Sequence, residues 1–146
     1  MSVIHEYFVL DDDDQAAGLL GSYGDGVLGV EAASELVVLE AILLGLSPLE
    51  AGTLELINRP DHAVMVAVDD PDPANTNVVV LRVADHTTAL IASATPEQVA
   101  AAVEPWSQTE GSFYSAAILS EVMERLLPLF QQAVNAGKHV YVRTSC

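Results

Sequence analysis

Apolar residues dominate Val3 to Leu10, and as a strand the segment would put Val3, His5, Tyr7 and Val9 on one face and Ile4, Glu6, Phe8 and Leu10 on the other, neither of them wholly apolar. This β-branched and aromatic run predicts a strand, closed by the aspartates Asp11, Asp12, Asp13 and Asp14. Aspartate caps helix N-termini and its charge suits the first turn, so a helix is predicted from there to about Leu20, stopping at Gly21. Ser22 to Gly29 is glycine-rich and reads as a loop, with a short strand through Val27 to Val30. From Glu31 to Leu44 almost every face is apolar, the mark of a central buried helix, and Gly45 follows it. Ser47-Pro48-Leu49-Glu50 is a capping box with proline at the first helical position and predicts a helix to near Ile57.

Ala63 to Val68 and Val78 to Val83 are β-branched runs around a polar, proline-bearing loop and predict a hairpin. Asp85 is placed to cap a short helix through Ile91. Thr95-Pro96-Glu97-Gln98 is a second capping box, opening a helix to about Val103 that Pro105 should stop. The last helix is predicted over Ser115 to Ala136, kinked or split at Pro128 and closed by Gly137, before a final strand from His139 to Arg143. The pattern predicts one α+β domain over residues 1–146. Its small mixed or antiparallel sheet would hold both terminal strands, packed against about five or six helices. Strict strand–helix alternation is absent, which argues against a doubly wound dinucleotide fold.

Charge changes the picture more than composition does. With 51% apolar residues in 146, the chain can bury a proper core without disulfides or metals. Its 21 carboxylates face only five basic side chains, a formal charge of −16. Those five are Arg59, Arg82, Arg125, Lys138 and Arg143, and they are scattered. Nucleic-acid and anionic-membrane binding need clustered Lys and Arg, so direct contact with either is not expected. A basic protein partner fits the field, while the plainer reading is solubility or salt adaptation. Cys146 is the single cysteine, which excludes an internal disulfide and a thiolate metal cluster, and the ending Arg143-Thr144-Ser145-Cys146 is not a prenylation box. The start lacks a basic n-region, and the longest apolar run, Leu36 to Leu46, is interrupted by Glu40 and Gly45 and too short for a bilayer. The expected address is the cytoplasm.

Motifs for chemistry are missing. Gly18, Gly21, Gly24, Gly26 and Gly29 lack dinucleotide spacing, no P-loop lysine is present, and Gly45-Leu46-Ser47-Pro48 lacks the second glycine of a nucleophile elbow. No two of His5, His62, His86 and His139 lie one helical turn apart, and neither aspartate stretch has calcium-loop spacing, so no metal or cofactor is expected. His5 and His139 both lie on predicted terminal strands and would approach if those strands pair, although ordinary strand histidines are the plainer reading. Eleven glutamates single out no catalytic pair; Glu31, Glu35 and Glu40 fall on the apolar central helix, and functional sites collect buried carboxylates, but helix ends and exposed faces hold far more glutamates. The most distinctive string runs from Pro105 and Trp106 through Glu110 to Phe113 and Tyr114, a breaker-flanked aromatic segment. It reads either as a partner-binding loop or as a staple that ties the loop to the core.

The opening strand with Tyr7-Phe8 and the closing pattern Leu127, Phe130, Ala133, Gly137, Val140, Val142 resemble the YfbM-like family of small bacterial proteins. Pro105-Trp106-Ser107-Gln108-Thr109-Glu110 looks like a string from acidic actinobacterial proteins of this size. The resemblance implies an α+β fold and a cytoplasmic bacterial protein, and carries over no activity or catalytic residue. The leading expectation is a non-enzymatic, immunity- or inhibitor-like module that binds a basic protein through Trp106, Glu110, Tyr114 and Asp11 to Asp14. The alternative is a small-ligand protein or enzyme with a pocket at the terminal strands, near His5, Glu6, Tyr7, His139 and Tyr141. A third reading is a homo-oligomer whose apolar surplus covers a self-interface.

Overall fold

The computed structural model describes residues 3–21, 25–46, 63–109, 112 and 114–146. Five strands, β1 (Ile4–Leu10), β2 (Val27–Leu28), β3 (Ala63–Val68), β4 (Val78–Val83) and β5 (His139–Ser145), form one antiparallel sheet in the order β2-β1-β5-β4-β3. The two terminal strands are thus neighbours inside the sheet. Five described α-helices accompany it: α1 (Asp13–Ala17), α2 (Ala32–Leu43), α3 (Asp85–Ser93), α4 (Pro96–Ser107) and α5 (Ala116–Ala136). The fold is α+β, and no described helix is long and apolar enough to cross a membrane.

Strand alternation divides the sheet into two unequal sides. Tyr7, Val83, Val140 and Val142 join the main core with α2, α3, α4 and α5. On the other side α1 and a 3-10 turn over Gly18–Gly21 cover a smaller cluster of Ala16, Leu19, Val80 and Tyr141. The α1 segment is shorter than predicted: Asp12 is its N-cap, accepting from the Gln15 amide at 2.9 Å, and the helix gives way to the 3-10 turn at Gly18. Helix α2 is buried on nearly all sides, as its apolar pattern predicts, with Glu35 and Glu40 buried among its leucines and valines. The predicted helix from Ser47 to Ile57 lies outside the described residues, as do Arg59, His62 and Glu110.

Several boundaries depart from local expectation for identifiable reasons. Asp85 is the first residue of α3 rather than its cap; Ala84 holds the cap position, and the Asp85 carboxylate bonds His139 instead. Helix α4 begins with the reciprocal Thr95–Gln98 capping box but runs through Pro105 to Ser107. A proline so near the C-terminus removes one donor, and burial of the next residue, Trp106, holds the last turn in place. Helix α5 is unbroken across Pro128, which is exposed while its neighbours Leu127 and Leu129 are buried. The apolar stripe from Leu119 to Ala133 outweighs one lost backbone bond. Gly137 ends α5 at φ +67°, a left-handed cap that suits glycine.

The long β3–β4 connection is ordered by its own acids. The Asp69 carboxylate accepts from the amides of Asn77 and Val78 at 3.0 and 3.1 Å, and these backbone donors hold its pKa below the ordinary carboxylate value. Asp70 accepts from the Asp72 amide, and Asp72 from Ala74 and the Asn75 side chain. This aspartate stretch is a turn scaffold.

Candidate functional site

Of the residues named for binding, His5, Tyr7, Trp106 and Tyr114 gather where β1 passes the N-terminus of α2. The Tyr7 hydroxyl donates to the Val30 carbonyl at 2.7 Å, and its ring meets Phe130 edge-on. Gly29 is required here, because a β-carbon on it would stand 2.6 Å from the Tyr7 ring. Glu31 caps α2 with its own carboxylate, accepting from the amides of Ala33 and Ser34 at 3.0 and 2.7 Å and from the Ser34 hydroxyl. Burial alone would raise the Glu31 pKa, but these bonds and the nearby His5 hold it below its ordinary value.

One turn along α2, the buried Glu35 carboxylate accepts from the Trp106 indole at 2.8 Å and from the Ser112 hydroxyl at 3.2 Å. Trp106 is fully buried. Tyr114 is half-buried and packs against the core; burial first, and then the Glu35 carboxylate, raises its pKa. Burial likewise lifts the Tyr7 phenol well above its ordinary range, helped by Glu31, Tyr114 and Glu35. Both phenols therefore stay protonated at neutral pH. Chemically the cluster is a brace: donors and acceptors meet one another and join α2, α4 and the segment before α5.

His5 completes this group, with Nδ1 2.9 Å from the Thr144 hydroxyl. Burial pushes its pKa below the ordinary 6.5, and the Glu31 charge only partly opposes this. A folded-state pKa below the unfolded value means that the unfolded chain binds more protons, so stability should fall as pH drops below 6.5 toward the folded value. His5→Asn removes that component. The stability gap between wild type and variant is expected to narrow between roughly pH 8 and pH 5 in parallel urea titrations. A gap constant over that range would contradict the assignment.

The remaining nominated residues lie elsewhere. In the β1–β5 ladder His5 faces Thr144 and Leu10 faces His139, so the two histidines sit at opposite ends, roughly 17 Å apart along the strand, and on opposite faces. His139 lies 2.7 Å from Asp85 and edge-on to Tyr141. The Tyr141 hydroxyl donates to Asp13 at 2.7 Å, and Arg82 also grips Asp13. The Tyr141 bond is the main reason that the Asp13 pKa lies below its ordinary value. Glu6, His139 and Tyr141 thus share the α1 side of the sheet, while His5 and Tyr7 face the main core. Among the described residues no group of three or more His, Cys, Asp or Glu could hold a metal ion.

Sequence reasoning missed the shortest ion pair among the described residues. Arg143, almost wholly buried, donates to Glu6 at 2.6 Å and to the Leu19 carbonyl at 3.0 Å, and lies over the Phe8 ring. Nothing in the sequence couples positions 6 and 143: Glu6 interrupts the apolar set Ile4, Phe8 and Leu10, but Arg143 shares its strand face with His139, Tyr141 and Ser145. Arg82 is bound by Asp13, and Lys138 lies 3.4 Å from Asp11.

No protein-family model matches the chain, and no curated protein or solved structure does either.

The helical side carries a depression of about 180 Å³ between α4 and α5. Its lining includes the buried Val99, Val103, Met123 and Leu127 and the exposed Pro96, Ala100, Ser120 and Glu124. Two wider, more open concavities of about 340 and 500 Å³ lie further along α5 and are lined partly by Gln131 and Asn135.

Proposed function

We propose that this protein is a non-enzymatic binding module that holds a basic protein partner, in the manner of an immunity or inhibitor protein. The observation that carries the reading is how its charges are disposed. Three of the five cations, Arg82, Lys138 and Arg143, are engaged by Asp13, Asp11 and Glu6. Of the 21 carboxylates, those of Glu6, Glu35 and Glu40 are buried. Many of the others are exposed, including Asp12, Asp14, Asp25, Asp72, Glu97, Glu104, Glu121 and Glu124. Such a surface attracts a cationic partner from a distance, speeds its encounter, and repels anionic competitors.

The brace around Glu35 narrows this reading by removing Trp106 and Tyr7 from the contact surface. Trp106 and Tyr7 are used inside the fold, so recognition falls to surface carboxylates and whatever apolar surface lies between them. The test is affinity capture from lysate of the encoding organism at about 50 and about 300 mM salt, beside an unrelated protein of equal acidity. A basic protein retained by this chain alone, and released at the higher salt, is the expected result. Retention of the same proteins by both baits would mean that the acidity serves solubility.

A further inference from the structure

We propose that the α4–α5 groove is the docking site for that partner, and that its occupant is a basic amphipathic helix that seats an apolar side chain between the two helices. This rests on the acidic-module reading and assigns it a place. The floor comes from sequence periodicity. Val99 and Val103 on α4, and Met123 and Leu127 on α5, are each four residues apart, one turn along their helix, so each pair forms a short apolar stripe. Pro96, Ala100 and Ser120 are small or compact and leave a narrow depression above this floor, whose four side chains are themselves buried. An anchor would enter by displacing the floor slightly, and Met123 is the side chain most able to give way.

Size selects the kind of occupant. Small-molecule sites usually enclose roughly 300–1,000 Å³. The α4–α5 depression, at about 180 Å³, is smaller and close to the volume that admits a benzene ring. It suits one aromatic or aliphatic anchor presented by a larger partner.

Charge selects the partner's sign. Glu124 lines the groove, and Glu97 and Glu104 follow the outer side of α4 beside Ala100. Glu121 lies one turn before Arg125 on α5. Glu97, Glu121 and Glu124 have no ion pair or side-chain hydrogen bond among the described residues. Helix α4 contains no Lys or Arg, and the single cation of α5, Arg125, falls about 150° around the helix from the groove line. An apolar floor flanked by unopposed carboxylates complements a helix with an apolar stripe flanked by Lys or Arg.

The experiment is an NMR titration of the full chain, labelled with nitrogen-15, at low salt. One probe is a synthetic Leu/Lys peptide of about 18 residues with leucines at helical spacing; the other has the same composition scrambled. The amphipathic peptide is expected to shift amides around Val99, Val103, Ser120 and Met123 and to bind at least about tenfold more tightly than the scrambled one. Ala100→Trp, at an exposed position, should fill the groove and weaken binding by about tenfold. The triple variant E97Q/E104Q/E124Q, which leaves the floor intact, should weaken it similarly and flatten its salt dependence. Shifts centred instead on Asp11 to Asp14 or on the β3–β4 turn would overturn the groove assignment while leaving the acidic module standing. Absence of binding by either peptide would overturn the groove assignment, while the acidic module is decided by the capture experiment. A wild type that is dimeric by light scattering, and that Ala100→Trp makes monomeric, would give the groove to a second copy and overturn the proposal.

Discussion

Arg143→Met is expected to destabilise the fold by about 3–5 kcal/mol, because it strands a charge in a site built for two. Arg143 and Glu6 side chains are only 3% and 10% exposed, and their 2.6 Å contact joins the neighbouring strands β1 and β5. Removing the guanidinium leaves the Glu6 carboxylate without its counter-charge and takes a donor from the Leu19 carbonyl, which anchors the 3-10 turn to the sheet. Glu6→Leu alone should also be costly, because it removes the carboxylate that faces the buried guanidinium at 2.6 Å. The double variant E6L/R143M should recover most of the loss, since a buried pair replaced by apolar groups of similar volume is often near neutral. Guanidinium denaturation of the four proteins gives the coupling directly. A single-variant cost below about 1 kcal/mol would mean that water reaches the pair.

Trp106→Ala should be comparably damaging, at about 3–5 kcal/mol, because it empties the site of the largest fully buried side chain in the described core. Trp106→Phe separates the two contributions. It retains most of the apolar volume but removes the indole donor from Glu35, leaving that carboxylate short of a bond. A cost of about 1–3 kcal/mol is expected for the lost donor at a buried acceptor. Glu35→Gln retains an acceptor toward Trp106 and should cost less than Trp106→Phe. If Trp106→Phe is neutral, the indole bond does not stabilise the brace and the ring acts by packing alone.

Local grammar in the sequence was a sound guide wherever the deciding contacts are local. The Thr95–Gln98 box, the glycine at 137, the β-branched and aromatic run of β1 and the all-round apolarity of α2 need only a few neighbouring residues to read, and each appears in the fold. The errors came where distant contacts decide. Pro105 reads as a stop, yet burial of Trp106 carries α4 past it to Ser107, and of the kink or split expected at Pro128 the split does not occur, because the Leu119–Ala133 stripe is buried. Asp85 reads as a cap, but its carboxylate bonds His139, which is 54 residues away.

The site was less legible than the fold for the same reason. Trp106 and Tyr114 stand out in the sequence as a loop motif, and only the tertiary structure reveals Glu35 as the indole's acceptor. The Glu6–Arg143 pair depends on strand register, which alternation alone does not set. Val99, Val103, Met123 and Leu127 read simply as core positions; the groove arises because the small and compact residues beside them leave an opening between two helices.

The central claim is that unopposed surface carboxylates recruit a basic protein. Its most direct measurement is the association rate of the purified chain with its captured partner as ionic strength rises. The account predicts a rate that falls at least about tenfold between roughly 20 and 300 mM salt, with a much smaller change in the dissociation rate. An association rate unchanged across that range would contradict it.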